Sequence, residues 1–142
     1  MSLFAALQVS ASGMQAERTR AQALVENMAN AETTRTPEGG PYKRKDVVFS
    51  SDLEESPFSA VFQNELATGV TVSDLVEDNS APEMRYMPNH PDANSEGYVA
   101  FPKMNPAEEM ANLLNTTRSY QANVAAMTAV KDMITNSISL LK

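Results

Sequence analysis

The chain of 142 residues is long enough for one domain with extensions but too short for two full domains. It has no cysteine and only one histidine, His90, which excludes disulfides, thiolate metal sites, thiol catalysis and multi-histidine zinc sites. The net charge of −7 argues against a nucleic-acid-binding protein.

The acidic residues are concentrated in the middle of the chain. Residues 51–100 contain ten Asp and Glu against one Arg, whereas both ends of the chain are nearly neutral. Near-neutral ends can pack against copies of themselves without charge repulsion. The sequence has no apolar run of about 18 residues and no basic start followed by a continuous apolar run. It therefore predicts neither a membrane-spanning helix nor a cleaved secretory signal.

The first predicted element is a helix from Ser2 to about Glu32. Alternating steps of three and four residues meet apolar side chains at seven of eight positions, Arg18 being the exception: Phe4, Leu7, Ala11, Met14, Arg18, Ala21, Val25 and Met28. This repeat is typical of a helix that packs along another helix. Gly13 is its weak point, at a cost of about 1 kcal/mol relative to alanine. The Pro- and Gly-rich run 36–41 ends the helix.

The middle of the chain, residues 35–104, has a different pattern. Four short β-favouring runs are separated by Pro, Gly and Asn: Val47–Phe49, Val70–Val72, Met84–Tyr86 and Tyr98–Phe101. Ser50–Asn64 has no clear period and is predicted to be a loop or a mobile stretch. The sequence therefore predicts a small insert of strands and loops.

The last predicted element is a long helix over residues 105–142. Asn105 suits the N-cap and Pro106 the first helical position, and two acids follow in the first turn. The same alternating steps meet apolar side chains at eight of ten positions: Met110, Leu113, Thr117, Tyr120, Val124, Met127, Lys131, Ile134, Ile138 and Leu141.

Together these elements predict a mainly α fold. Residues 1–34 and 105–142 are expected to form one discontinuous, coiled-coil-like domain, and residues 35–104 the β- and loop-rich insert. Within one molecule the two apolar stripes can meet only as a bare pair, which leaves much of each stripe exposed. Either the helices pack against neighbouring subunits, or a helical hairpin dimerises into a four-helix bundle. Periodicity alone favours neither.

The candidates for chemistry are weak. His90 lies in the proline-rich run Pro88–Asp92, which indicates a turn residue rather than a general base. Asp92–Gly97 matches the first half of a calcium loop, but Lys103 stands where the bidentate Glu should be. Lys43–Lys45 is followed at once by an acid and is interpreted as a solvated strand end. We therefore predict no catalytic, cofactor or metal site and a non-enzymatic protein.

Polar residues beside the apolar stripes can fix the register of packed helices, since a slip leaves them unpaired. The predicted assembly interface combines such residues with the apolar positions. Its polar members are Asn27, Asn30, Arg118, Gln121 and Asn123. Its apolar members are Leu7, Met14, Leu24, Met28, Met110, Leu113, Tyr120, Val124, Met127, Ile134 and Leu141.

Several of these segments carry a family resemblance. The run Glu26–Thr33 resembles the N-terminal signature of the bacterial flagellar rod and hook proteins. Pro88–Asn94 with Glu96–Val99, Glu108–Met110, Arg118–Asn123 and Thr128–Met133 resemble the small proximal-rod member of the flagellar basal-body rod proteins. The resemblance keeps its order along nearly the whole chain.

The resemblance implies a structural subunit that stacks helically into the basal-body rod, the drive shaft that crosses the periplasm. Terminal helices of such subunits line an inner tube around the export channel. The subunits are exported unfolded by the flagellum-specific type III apparatus, without cleavage. The implied partners are copies of itself, other rod proteins, the adaptor between rod and membrane ring, and the export apparatus in transit. The alternative from another class is a soluble helical-bundle adaptor or export chaperone.

Overall fold

The computed structural model describes residues 3–51 and 69–140. It contains two long helices and four strands. In chain order they are α1 (Leu3–Ala29), β1 (Lys45–Ser51), β2 (Val70–Glu77), β3 (Glu83–Tyr86), β4 (Tyr98–Phe101) and α2 (Pro106–Ser139). Both predicted helices and all four predicted strands are confirmed in position. Of the predicted loop, residues 50 and 51 belong to β1, and residues 52–64 lie outside the described residues.

The start of α2 follows from its first residues. The Asn105 side chain accepts a hydrogen bond from the backbone N–H of Ala107 at 3.0 Å, and Pro106 occupies the first turn, where its missing N–H costs nothing. Glu108 and Glu109 lie in the same turn, where the helix dipole favours acids. The predicted N-terminus of this helix is confirmed.

The two helices pack antiparallel. Asn27, near the end of α1, contacts Glu109 in the first turn of α2, and Gly13 lies against Asn123 farther along. A Cβ at Gly13 would stand 3.0 Å from Asn123 Nδ2, closer than van der Waals contact allows without movement of that side chain. The glycine that weakens α1 on its own therefore lets α2 approach closely.

The strands form two antiparallel hairpins. β1 pairs with β2 from Lys45↔Glu77 to Ser51↔Val70, with a bulge after Val48. β3 pairs with β4 from Glu83↔Phe101 to Tyr86↔Tyr98. The first hairpin packs on α1. There the Arg20 guanidinium lies 5.9 Å from the centre of the Phe49 ring.

The prediction of a mainly α fold with a coiled-coil-like module and a loop-rich insert is wrong. Of the described residues, 50% are helical and 19% lie in strands, so the molecule combines two helices with two antiparallel sheets. β1 and β2 have seven and eight residues, longer than the runs of three seen in the sequence. Their ends were missed because polar side chains occupy exposed positions there, as Asp46 and Asp74 do.

The helix pair also differs from a coiled coil. Residues 109, 116, 123 and 130 of α2 are seven apart and lie towards α1, yet three of them, Glu109, Thr116 and Asn123, are polar. An apolar a/d seam is therefore not what joins the helices. The predicted stripe therefore lies one residue away from the row that faces α1. Met110 and Val124, which belong to the predicted stripe, are exposed beside the contact between the helices.

The hydrophobic core is thin. The buried apolar side chains among the described residues are Ala16, Ala23 and Leu24 of α1, Val130 of α2, and Tyr42, Val99, Phe101 and Pro102 of the insert. Two of the helix residues are alanines, which bury little surface. Polar contacts must therefore contribute more to holding this fold than they do in most domains.

Candidate assembly interface

A buried polar junction joins the end of α1, the start of β1 and the start of α2. Its centre is Asn27, whose side chain is fully buried. Asn27 Nδ2 donates to the backbone oxygen of Lys45 at 2.8 Å and to Glu109 Oε2 at 3.0 Å. Asn27 Oδ1 accepts from the backbone N–H of Lys45 at 2.9 Å and from the Tyr42 hydroxyl at 3.0 Å. All four hydrogen bonds that an amide can make are therefore made.

The carboxylate of Glu109 completes the junction. It is 2% exposed, and its other oxygen accepts a hydrogen bond from Arg44 Nε at 2.7 Å. That hydrogen bond, more than any other interaction, raises the pKa of the Arg44 guanidinium. A buried charge is tolerated only when it is paired and hydrogen-bonded, and Glu109 satisfies both conditions. The interpretation of Lys43–Lys45 as a solvated strand end is thereby corrected for Arg44.

The pKa values of two side chains at the junction, Tyr42 and Lys45, are raised. Burial raises the pKa of the Tyr42 hydroxyl, and the nearby Glu26 carboxylate raises it further. A hydrogen bond to Glu26 at 2.7 Å raises the pKa of the Lys45 ammonium. Lys45 also stands 5.8 Å from the centre of the Tyr42 ring. The protonated forms of both groups are therefore favoured by folding.

We expect the free energy of unfolding to fall as the pH rises above about 10. Below the unfolded-state pKa values of about 10 for Tyr and 10.4 for Lys, this stabilisation is fully present. It is lost as the pH rises through the raised folded-state values, because the folded state holds the protons more tightly. Urea unfolding at pH 8 to 11 measures the slope. Tyr42→Phe should flatten it, whereas Tyr120→Phe, at an exposed tyrosine, should not; equal slopes in both variants would contradict the assignment.

A second feature is an exposed apolar surface along both helices. It consists of Leu3, Phe4 and Val25 of α1, Met110, Leu114, Tyr120, Val124, Met133 and Ile138 of α2, and Leu140 directly after it. Several of these side chains are about half exposed, and Leu140 is almost fully so. Successive residues of a helix are about 100° apart, so the exposed side chains of α2 cover roughly 220° of its circumference. The surface is wider than one partner helix can cover.

The comparisons with known proteins give the family. The model of the "Flagellar basal body rod FlgEFG protein C-terminal" family matches residues 95–140. The flagellar basal-body rod protein FlgC of Bacillus subtilis is 40% identical over 152 aligned positions, covering all of both chains. The chain belongs to the FlgC family of flagellar basal-body rod proteins. The FlgC proteins of Borreliella burgdorferi and Escherichia coli O157:H7 are 32% and 33% identical, with at least 98% of each chain covered.

The sequence-based resemblance and the interpretation as a structural rod subunit are thus confirmed. FlgC-family membership places the chain in the flagellar basal-body rod and implies association with other rod components. None of the helices that the structure describes is long and apolar enough to cross a membrane.

The structure distributes the residues of the predicted interface over three environments. Leu24 and Asn27 are buried. Leu7, Met14, Met28, Asn30, Leu113, Asn123, Met127 and Ile134 are half-buried. Met110, Arg118, Tyr120, Gln121 and Val124 are exposed, and Leu141 lies outside the described residues. The buried side chains pack within the chain, and the exposed ones are open to solvent; contact of the exposed group with other molecules stays a prediction.

Sequence reasoning missed Glu109, Arg44 and Tyr42. Glu109 was interpreted as a first-turn acid and as part of the segment Glu108–Met110 that carries the family resemblance, but not as a buried residue, although it precedes Met110 directly and lies seven residues before Thr116. Buried, it would have called for a cation, and Arg44 belongs to the one basic cluster of the chain. The seven-residue spacing between Glu109 and Thr116 was a usable signal that Glu109 faces α1. The pairing of Glu109 with Arg44 could not be predicted, because 65 residues separate the two.

The residues considered for chemistry form a turn. His90 lies between two turns, its N–H donating to the Met87 carbonyl and its carbonyl accepting from Ala93, so the prediction of a turn residue is confirmed. Asp92 accepts a hydrogen bond from Thr34 at 2.7 Å, and Gly97 takes the positive φ of a tight turn before β4. Within residues 3–51 and 69–140, no group of three His, Asp or Glu is placed to hold a metal ion.

Proposed function

We propose that this FlgC-family chain is a non-enzymatic subunit that assembles helically through α1 and α2, with copies of itself and with other rod proteins. The assembly forms the drive shaft around the export channel. The observation that carries the proposal is the exposed apolar surface along both helices, in a molecule with a thin core. Large exposed apolar surfaces on a small protein mark sites of contact with other proteins.

The width of that surface favours a helical array over a four-helix bundle. Complete burial of one large apolar side chain contributes about 1.5–3 kcal/mol, so half-exposed side chains each offer about half of that. A dimer of hairpins would cover one side of each helix pair. The exposed residues of α2 face more than one side, since Leu114 and Tyr120 lie roughly 120° apart and Met133 lies farther around. Several neighbours per subunit are needed to bury them.

The proposal retains the predicted division of the chain. Residues 1–34 and 105–142 form one discontinuous axial domain, and residues 35–104 form the insert, which faces outward. Two observations support this division. The Asn27–Glu109 hydrogen bond ties both helices together at the root of the insert, and β2 and β3 expose almost every side chain.

The same proposal covers localisation and the remaining partners. The subunit crosses to the periplasmic rod through the flagellar export apparatus, unfolded and without cleavage of a signal. There it contacts the adaptor that joins rod and membrane ring. The thin core supports export in an unfolded state, because few buried apolar contacts must be broken before the chain can be threaded.

Export and packing should be separable at the N-terminus. Ala21→Pro removes a helical hydrogen bond and clashes with the preceding turn, at a cost of about 3 kcal/mol. An unfolded Ala21→Pro chain should therefore be exported normally but fail to build rods. Deletion of residues 2–10 should instead abolish export. Both variants are followed in a strain with a working export apparatus, by comparing secreted chain with basal bodies.

The wild-type chain and Pro37→Ala, a change outside both helices, serve as controls in that strain. Retention of the Ala21→Pro chain in the cytoplasm would contradict the separation, as would normal secretion of the deletion variant. A tagged wild-type chain that is absent from isolated basal bodies would contradict the proposed function itself.

A further inference from the structure

A groove between α1 and α2 contains unused hydrogen-bonding groups. Its volume is about 310 Å³, and it is lined by Glu17, Arg18 and Ala21 of α1 and by Thr116, Thr117 and Tyr120 of α2. Thr116 Oγ1 and Glu17 Oε2 are buried and have no hydrogen-bond partner among the described residues. Both atoms therefore lack the partners that buried polar groups nearly always have.

The Thr116 hydroxyl is the exception among the threonines of α2. Thr117, Thr128 and Thr135 each donate to the backbone carbonyl four residues earlier, at 2.8, 3.0 and 3.0 Å. Those three side chains are exposed, whereas Thr116 is 3% exposed and makes no such bond. An ionised Glu17 carboxylate can only accept hydrogen bonds, and a hydroxyl can also accept. The groove is therefore suited to a donor that enters from outside.

The chain carries a suitable donor that none of its described residues uses. Arg118 is exposed, with no ion pair or hydrogen bond in residues 3–51 and 69–140. Arg44 and Lys45, by contrast, are paired with Glu109 and Glu26. Arg118 lies roughly 200° around α2 from Thr116, on the side that faces away from α1. It is at nearly the same height along the helix as the groove.

We infer that the groove receives the Arg118 guanidinium of a second copy of this chain, which donates to Glu17 Oε2 and Thr116 Oγ1. The inference rests on the proposed function, because it supplies one contact of the helical assembly. Groove and guanidinium occupy opposite sides of α2, so the contact is heterologous and repeats from subunit to subunit instead of closing a dimer. Tyr120 belongs both to the groove wall and to the exposed apolar surface, which makes the contact continuous with that surface.

Cysteine cross-linking in assembled rods tests this contact, since the chain has no cysteine of its own. Two differently tagged chains, one with Glu17→Cys and one with Arg118→Cys, are produced together in a strain that lacks the native gene. Basal bodies are isolated and treated with a short bismaleimide. A product carrying both tags is expected at a yield at least tenfold above that of the pair Glu17→Cys and Ala125→Cys. Ala125 is an exposed position on the same side of α2, two turns farther along.

A charge exchange covers the case in which a cysteine variant does not assemble. Glu17→Arg and Arg118→Glu should each abolish swimming, and the double variant should restore it. Equal cross-linking yields from the two pairs would overturn the contact, as would a double variant that stays non-motile while wild-type chain enters basal bodies. If tagged wild-type chain is itself absent from basal bodies, the proposed function fails rather than this contact alone.

Discussion

Asn27→Asp is expected to lower the free energy of unfolding by about 3–5 kcal/mol. The substitution keeps the shape of the side chain but replaces the donor Nδ2 by an oxygen. That oxygen would face Glu109 Oε2 and the Lys45 carbonyl, now 3.0 and 2.8 Å from Nδ2. Two hydrogen bonds become repulsions in a place that water does not reach. Because small domains are stable by only about 5–15 kcal/mol, the loss should be visible in a urea unfolding curve.

Asn30→Asp is the matched control, one turn farther along the chain. The Asn30 side chain is half-buried and donates to the Glu26 carbonyl at 2.9 Å in a hydrogen bond that is open to solvent, where water can replace it. Its loss should cost less than about 1 kcal/mol. Similar destabilisation by both substitutions would show that Asn27 is not a specific junction residue. A strain carrying Asn27→Asp should also swim poorly, since the junction holds both axial helices to the insert.

The sequence predicted the helices well because their evidence is local. Asn105-Pro106 marks the start of α2 without reference to any other part of the chain, and the repeat of apolar residues reveals both helices. The two sheets were underestimated because a strand such as β2 does not keep a strict alternation of polar and apolar residues, and nearly all of its side chains are exposed. Burial, which gives strands their clear period, is weak in this insert.

The buried junction lay beyond sequence reasoning for a different reason. Asn27, Arg44 and Glu109 are far apart in the chain, and each alone resembles an ordinary surface residue. What identifies them is the antiparallel packing of α1 and α2, which brings residue 27 to residue 109. The family resemblance drew attention to the segments that contain Asn27 and Glu109, but it did not show that the two side chains meet. The side of α2 that faces α1 was predicted one position away from where it lies. Glu109, Thr116 and Asn123 face α1, whereas the prediction named the more apolar row that contains Met110 and Val124.

Val124→Asp should abolish rod assembly while leaving the isolated chain nearly as stable as before. Val124 is 42% exposed on α2, so a carboxylate there stays in water in the single molecule. In the assembled rod the same carboxylate would be buried without a partner, at a cost of several kcal/mol for each contact. Since 1.4 kcal/mol is a factor of ten, each contact would weaken by roughly a hundredfold or more. Swimming in soft agar and electron microscopy of basal bodies measure the loss.

Two further substitutions on the same helix separate assembly from folding. Val130 is only 7% exposed because it packs within the chain, so Val130→Asp should destabilise the purified protein by about 3 kcal/mol or more. Asn136→Asp adds the same charge at an exposed polar position and should alter neither property. The decisive comparison is therefore between Val124 and Val130, six residues apart. Normal swimming by the Val124→Asp strain would show that this side of α2 remains in solvent in the rod, whereas a large loss of stability in its purified chain would show that Val124 is needed for folding.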